Sequence, residues 1–194
     1  MRRLAAVPVL VLLAAIWPAS GSFADASTAG QAPAPTSLRA DFNNDGAEDL
    51  AVGAPGESVG AIEAAGAVNV LYGSAGGLSG AGSQLFTQNT PGVGGVAEPF
   101  DQFGAALAAG DFNGDGFTDL AVGAPGESVG AIEAAGAVNV LYGSAGGLSG
   151  AGSQLFTQNT PGVGSTAEVF DFFGAALAAS GLQDPTASPT SPTG

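Results

Sequence analysis

Residues 49–94 and 119–164 are the same sequence, letter for letter, seventy positions apart. The likeness runs on from "AEPFDQFGAALAAGD" (97–111) to "AEVFDFFGAALAASG" (167–181). A tandem duplication of this length predicts two units with one fold, each burying its apolar face against its neighbour. The edges of the array are partial. The first unit begins near Ser37 without an "FGAALAAG" segment. The third has that segment, from Phe173, but no aspartate loop after it.

Within a unit, short apolar runs alternate with Gly, Pro, Asn and Asp clusters. The pattern predicts strands at 104–109, 119–123, 136–142 and 154–158, with the Gly-rich "GSAGGLSGAGS" as a separator. "IEAAGA" is the only helix-leaning piece and is too short to hold a helix. Four short strands per repeat is the pattern of a propeller blade. The predicted fold is all-β: β-propeller blades of four antiparallel strands, about two blades in all, an incomplete propeller.

The chain has only three basic side chains, all Arg, against 17 acidic ones, a formal net charge of −14. That balance argues against nucleic acid and anionic membrane surfaces as partners. With no His and no Cys, imidazole and thiolate chemistry are excluded, and so are disulfides. No Ser sits in a G-x-S-x-G elbow, and the chain is read as non-catalytic. At the N-terminus, Arg2-Arg3 precede the apolar run 4–16, which is too short to span a bilayer comfortably. Small residues follow, with cleavage expected after Ala24 or Ala26. Residues 1–24 are read as a secretory signal peptide, giving a secreted, extracellular chain with no stable membrane insertion. Residues 25–36 read as a linker, 37–180 as the repeat region, and 181–194 as a Pro/Ser/Thr-rich disordered tail.

Against so low a charge density, "DFNGDGFTDLAVGAPGE" (111–127) places three aspartates at every fourth position, and "DFNNDGAEDLAVGAPGE" (41–57) repeats it. Asp41, Asn43, Asp45 and Asp49, with the Ala47 carbonyl, form one set of hard oxygen donors. Asp111, Asn113, Asp115 and Asp119, with the Phe117 carbonyl, form the other. Gly46 and Gly116 stand where the chain must turn sharply. Ca²⁺ takes six to eight oxygens at about 2.3–2.6 Å, whereas Mg²⁺ demands tighter octahedral geometry. Two Ca²⁺ sites are therefore expected. An EF-hand loop would need a carboxylate at position twelve, where Val52 and Val122 stand, so the loop is read as a β-hairpin. The alternative is an Asx-turn hairpin that holds no metal.

"FGAALAAGDFNGDGFTDLAVGAP" (103–125) resembles an FG-GAP repeat, the blade repeat of the integrin α-subunit N-terminal propeller. Phe103-Gly104 and Gly123-Ala124-Pro125 flank the aspartate loop as that resemblance requires. "GAVNVLYGSAGGLS" is similar to the second half of such blades in secreted bacterial relatives. The resemblance implies a seven-bladed propeller with calcium in the blade hairpins and ligand binding on an exposed face. It points to extracellular recognition or adhesion, with an unknown extracellular protein or glycan as partner. Two blades are too few to close a propeller. Three arrangements answer this: a segment of a larger secreted propeller protein or hydrolase, a homo-oligomer completing a propeller, or an open two-blade stack. Glu57, Glu63, Glu127 and Glu133 are read as solvated loop charges or partner contacts, and Asp101 and Asp171 as turn caps. Phe103, Phe112, Phe117 and Phe173 are read as blade core.

Overall fold

The computed structural model describes residues 37–179. The segments read as signal peptide, linker and Pro/Ser/Thr-rich tail lie outside the described residues. Eight strands form two sheets of identical plan. The first blade runs β1 (Ser37–Ala40), β2 (Asp49–Ala54), β3 (Ala67–Tyr72) and β4 (Ser79–Phe86). The second runs β5 (Ala106–Gly110), β6 (Asp119–Ala124), β7 (Ala137–Tyr142) and β8 (Ser149–Phe156). Within each sheet every strand pairs antiparallel with the next in sequence, and no strand crosses over. Among the described residues there is no helix, and "IEAAGA" turns between two β-bridges and runs into β3.

The fourth strand differs from expectation. It starts at Ser79 and Ser149, inside the Gly-rich stretch predicted to separate strands. A register shift between Val70 and Tyr72, and between Val140 and Tyr142, lets Tyr72 pair with Ser79 and Tyr142 with Ser149. In the second blade the small residues are required because the Pro91 loop of the first blade passes close, whereas the space around Gly80 is open. A Cβ on Gly150 would lie 2.7 Å from the Pro91 carbonyl oxygen.

The two sheets stack face on face. In the first blade Ala51, Val68 and Val70 point one way, and Leu50, Val52 and Leu71 the other, as strand alternation requires. Ala51, Val68 and Val70 join Leu120, Val122 and Leu141 of the second blade in one buried cluster, with Phe42, Phe86 and Phe103. Fully burying a side chain of this size stabilises by about 1.5–3 kcal/mol, so this junction is the main core. The opposite face of the second blade carries a smaller cluster, Ala121, Val138 and Val140, partly covered by Phe173 and Leu177.

The Phe-Gly signature makes the link between blades. The Phe103 amide donates to the Ala65 carbonyl and the Gln102 amide to the Ala64 carbonyl. Gly66 bridges Phe103 at a φ of +86°, and a Cβ there would sit 2.3 Å from the Phe103 carbonyl oxygen. Only glycine meets both demands. Gly136 and Phe173 repeat the arrangement.

Of the four phenylalanines assigned to the core, Phe103 is buried, and Phe117 and Phe173 are half-buried. Phe112 is not core: it is 46% exposed, while its counterpart Phe42 is fully buried between the blades. The local sequence is nearly the same, so the difference comes from having a neighbouring blade on one side only.

Candidate functional site

Each aspartate loop joins the first two strands of its blade. In the first, the Asp41 carboxylate accepts from the amides of Asp45 (3.1 Å) and Gly46 (2.9 Å). Asn43 Oδ1 also accepts from the Asp45 amide, and Asp45 Oδ1 from the Ala47 amide at 2.8 Å. Asn43 Nδ2 donates to Asp45 Oδ2. The second loop repeats these bonds through Asp111, Asn113, Asp115 and Phe117. Gly46 and Gly116 take φ of +86° and +88°, the sharp turn that position was expected to supply.

Asp49 and Asp119 do something different. Both are fully buried at the head of β2 and β6. Asp49 Oδ2 accepts from the Phe42 amide and Oδ1 from the Gly73 amide, each at 2.8 Å. Asp119 does the same with Phe112 and Gly143. The ninth loop residue thus fastens the loop to the end of β3 or β7. Burial raises the carboxyl pKa of both, the two backbone N–H bonds pull it back down, and the other loop aspartates push it up.

The donor chemistry of the loops suits a hard cation. Asp41, Asn43 and Asp45 share one turn, beside a shallow depression lined by Asp45–Glu48, Ser74 and Ala75. In this geometry their oxygens face backbone N–H groups. Among the described residues no three acidic side chains converge as metal ligands. Asp41, Asn43, Asp45 and Asp49, with the Ala47 carbonyl, remain the residues that would hold the ion. Their counterparts would do so in the second loop.

A second polar cluster lies in the blade junction, where the sequence reads as solvated loop charges or partner contacts and a turn cap. Gln88 of the first blade donates through Nε2 to Glu127 Oε2 of the second. Glu127 and Asp101 are both buried. Burial, then the charges of Asp101 and Glu98, pushes Glu127 up to about 7 against the pull of the Gln88 bond. Burial also pushes Asp101 up to about 6, although its Oδ2 caps the turn by accepting from the Glu98 amide. Turn capping was the expected role for Asp101 and Asp171, and Asp171 caps the same turn through Glu168. Buried inside the chain, Glu127 departs from the reading of all four glutamates as solvated loop charges or partner contacts; Glu57, Glu63 and Glu133 are exposed. Its counterpart Glu57 sits in identical sequence, so no local signal could have separated the two. Nearby, Asn139 is fully buried with neither side-chain polar atom bonded to protein.

The FG-GAP repeat model matches residues 36–71 and 103–141. The chain carries FG-GAP repeats. The matched stretches hold β1–β3 and β5–β7 with both aspartate loops. The chain is 45% identical over 105 residues to phosphatidylinositol-glycan-specific phospholipase D of Mus musculus, covering 54% of this chain and 12% of that protein. It is 39% identical over 110 residues to integrin alpha-3 of Mus musculus, covering 56% and 9%. With integrin alpha-PS5 of Drosophila melanogaster it shares 43% identity over 89 residues, covering 44% and 8%. The chain thus spans about an eighth or less of these relatives. All three are animal proteins and lend no support to a secreted bacterial subtype.

Proposed function

We propose that this chain is a secreted, calcium-binding FG-GAP module for extracellular recognition or adhesion, with calcium in a structural role. The observation that carries the reading is the pair of in-register D-x-N-x-D-G-x-x-D loops, each at the same hairpin of an FG-GAP match. When bound, the ion would neutralise like-charged carboxylates and stiffen the turn. The similarity to integrin alpha chains and the export-like N-terminus support an extracellular setting. The exposed Glu63 and Glu133 are then available to an extracellular protein or glycan.

Calorimetric titration of the full chain with Ca²⁺ tests this. Two sites per chain are expected, both lost in Asp45→Ala plus Asp115→Ala. Absence of binding in the folded chain would refute it.

A second reading is a non-catalytic accessory segment of a larger secreted propeller protein or hydrolase. It is favoured by the match to a phospholipase D of which the chain covers 12%. Release of a phosphatidylinositol-glycan-anchored protein by the purified chain would contradict the non-catalytic part of both readings.

A further inference from the structure

The junction between the two blades is built from residues that almost all occur twice. Leu148, in the β7–β8 connection of the second blade, is 3% exposed because the first blade covers it. Its amide donates to the Tyr72 hydroxyl at 2.9 Å, and its carbonyl accepts from Gln84 Nε2 at 3.0 Å. Leu78 is the same residue of the first blade, on that blade's uncovered face, and is 44% exposed. Tyr142 and Gln154, which repeat Tyr72 and Gln84, are bonded to each other at 2.8 Å, ready to receive a leucine backbone.

Other pairs behave the same way. Phe42 is buried in the junction, whereas Phe112 is exposed at the far face of the second blade. Gln88 Nε2 donates to Glu127 across the junction, whereas Glu57, the counterpart of Glu127, is exposed. A Cβ on Gly150 would touch Pro91 and Val93, whereas nothing lies within 4 Å of one on Gly80. The first blade therefore presents, uncovered, the surface with which the second receives a neighbour. The second presents the surface with which the first covers one.

We propose that these two free faces bind each other between copies of this chain, head to tail, repeating the junction seen within it. Leu78 of one copy takes the place of Leu148 against Tyr142 and Gln154 of the next, and Glu57 meets Gln158. Such an interface is heterologous, so it generates a ring if the rotation closes and a filament if it does not. At two blades per copy, a ring of four to eight blades takes roughly two to four copies. Residues 176–179 repeat the sequence of β5 and lie near where β1 of the arriving copy would stand. They form no strand pairing, so moving them aside breaks no ladder. The inference uses none of the loop aspartates and holds with or without calcium.

Sedimentation velocity of the full chain over a range of concentrations tests it. The expected wild-type mass is two or more whole multiples of the 18.5 kDa chain. Leu78→Asp blocks one face, and Val163→Asp, the counterpart of junction residue Val93, blocks the other. Each alone should be monomeric with an unchanged far-ultraviolet circular dichroism spectrum. Mixed, each retains one good face, so they should form a 1:1 dimer and stop there. Asn69→Arg, at another exposed position of the first face, should reproduce Leu78→Asp. A monomeric wild type, a mass unchanged by either substitution, a mixture that stays monomeric, or dimers of one variant alone would each overturn the proposal.

Discussion

Glu127 and Glu57 occupy the same place in identical sequence, yet only Glu127 lies under a neighbouring blade. Replacing each by Gln separates environment from local sequence. The Glu127 carboxyl is raised from 4.5 to about 7. An acid whose folded pKa lies above its unfolded value holds its proton more tightly when folded. Its contribution is therefore most favourable below about pH 4.5, and stability is lost as pH rises through about 7. At about 1.36 kcal/mol per pKa unit, the loss reaches roughly 3 kcal/mol at pH 8 and about 0.4 kcal/mol at pH 4.5. The substituted side-chain amide keeps an oxygen for Gln88 Nε2 and carries no charge towards Asp101 or Glu98. In dilute solution, urea unfolding of Glu127→Gln should show a gain over wild type that grows by about 2–3 kcal/mol from pH 4.5 to pH 8. For a chain near this size that is roughly 5–10 °C in Tm at the higher pH. Glu57→Gln, on an exposed side chain, should stay within about 0.5 kcal/mol of wild type throughout. Matching profiles for the two variants, or a gain that ignores pH, would refute the reasoning.

Two other substitutions probe the junction. Gly150→Ala pushes a methyl group to 2.7 Å from the Pro91 oxygen and should cost about 1–3 kcal/mol in thermal unfolding, whereas Gly80→Ala, with open space around it, should leave the monomer's Tm unchanged or slightly raised. Asn139→Leu removes two buried polar groups that have no protein partner and should raise stability by about 1 kcal/mol in the same assay; a fall of that size would show that the amide is satisfied by bound water.

The blade plan was legible in the sequence because alternation and turn residues act locally. Asp49, Asp119, Gly46 and Gly116 stand where the loop pattern put them. The start of the fourth strand was hidden, because Gly80 and Gly150 weaken local strand propensity and Gly150 is explained only by the Pro91 loop against it. The junction was hidden for a deeper reason. Phe42 and Phe112, Leu148 and Leu78, and Glu127 and Glu57 differ in burial through stacking order, which identical strings cannot encode. The loop aspartates were found as a set. Their division into a solvent-facing turn and a buried staple at Asp49 and Asp119 needed the ends of β3 and β7 to be placed.

The identity of the two blades also bears on how the chain finds its fold. β2 has two partners of the same sequence, β3 and β7, and every side-chain contact across the ladder would be the same with either. What separates them is the length of chain between. Pairing with β7 instead of β3 lengthens the connection from residues 55–66 to residues 55–136, roughly sevenfold, at a closure cost of about 1.7 kcal/mol. That bias is only about eighteenfold in population, so early in folding a measurable fraction of chains should pair across the repeat and have to unpair again. Proximity along the chain, more than residue identity, selects the native partner.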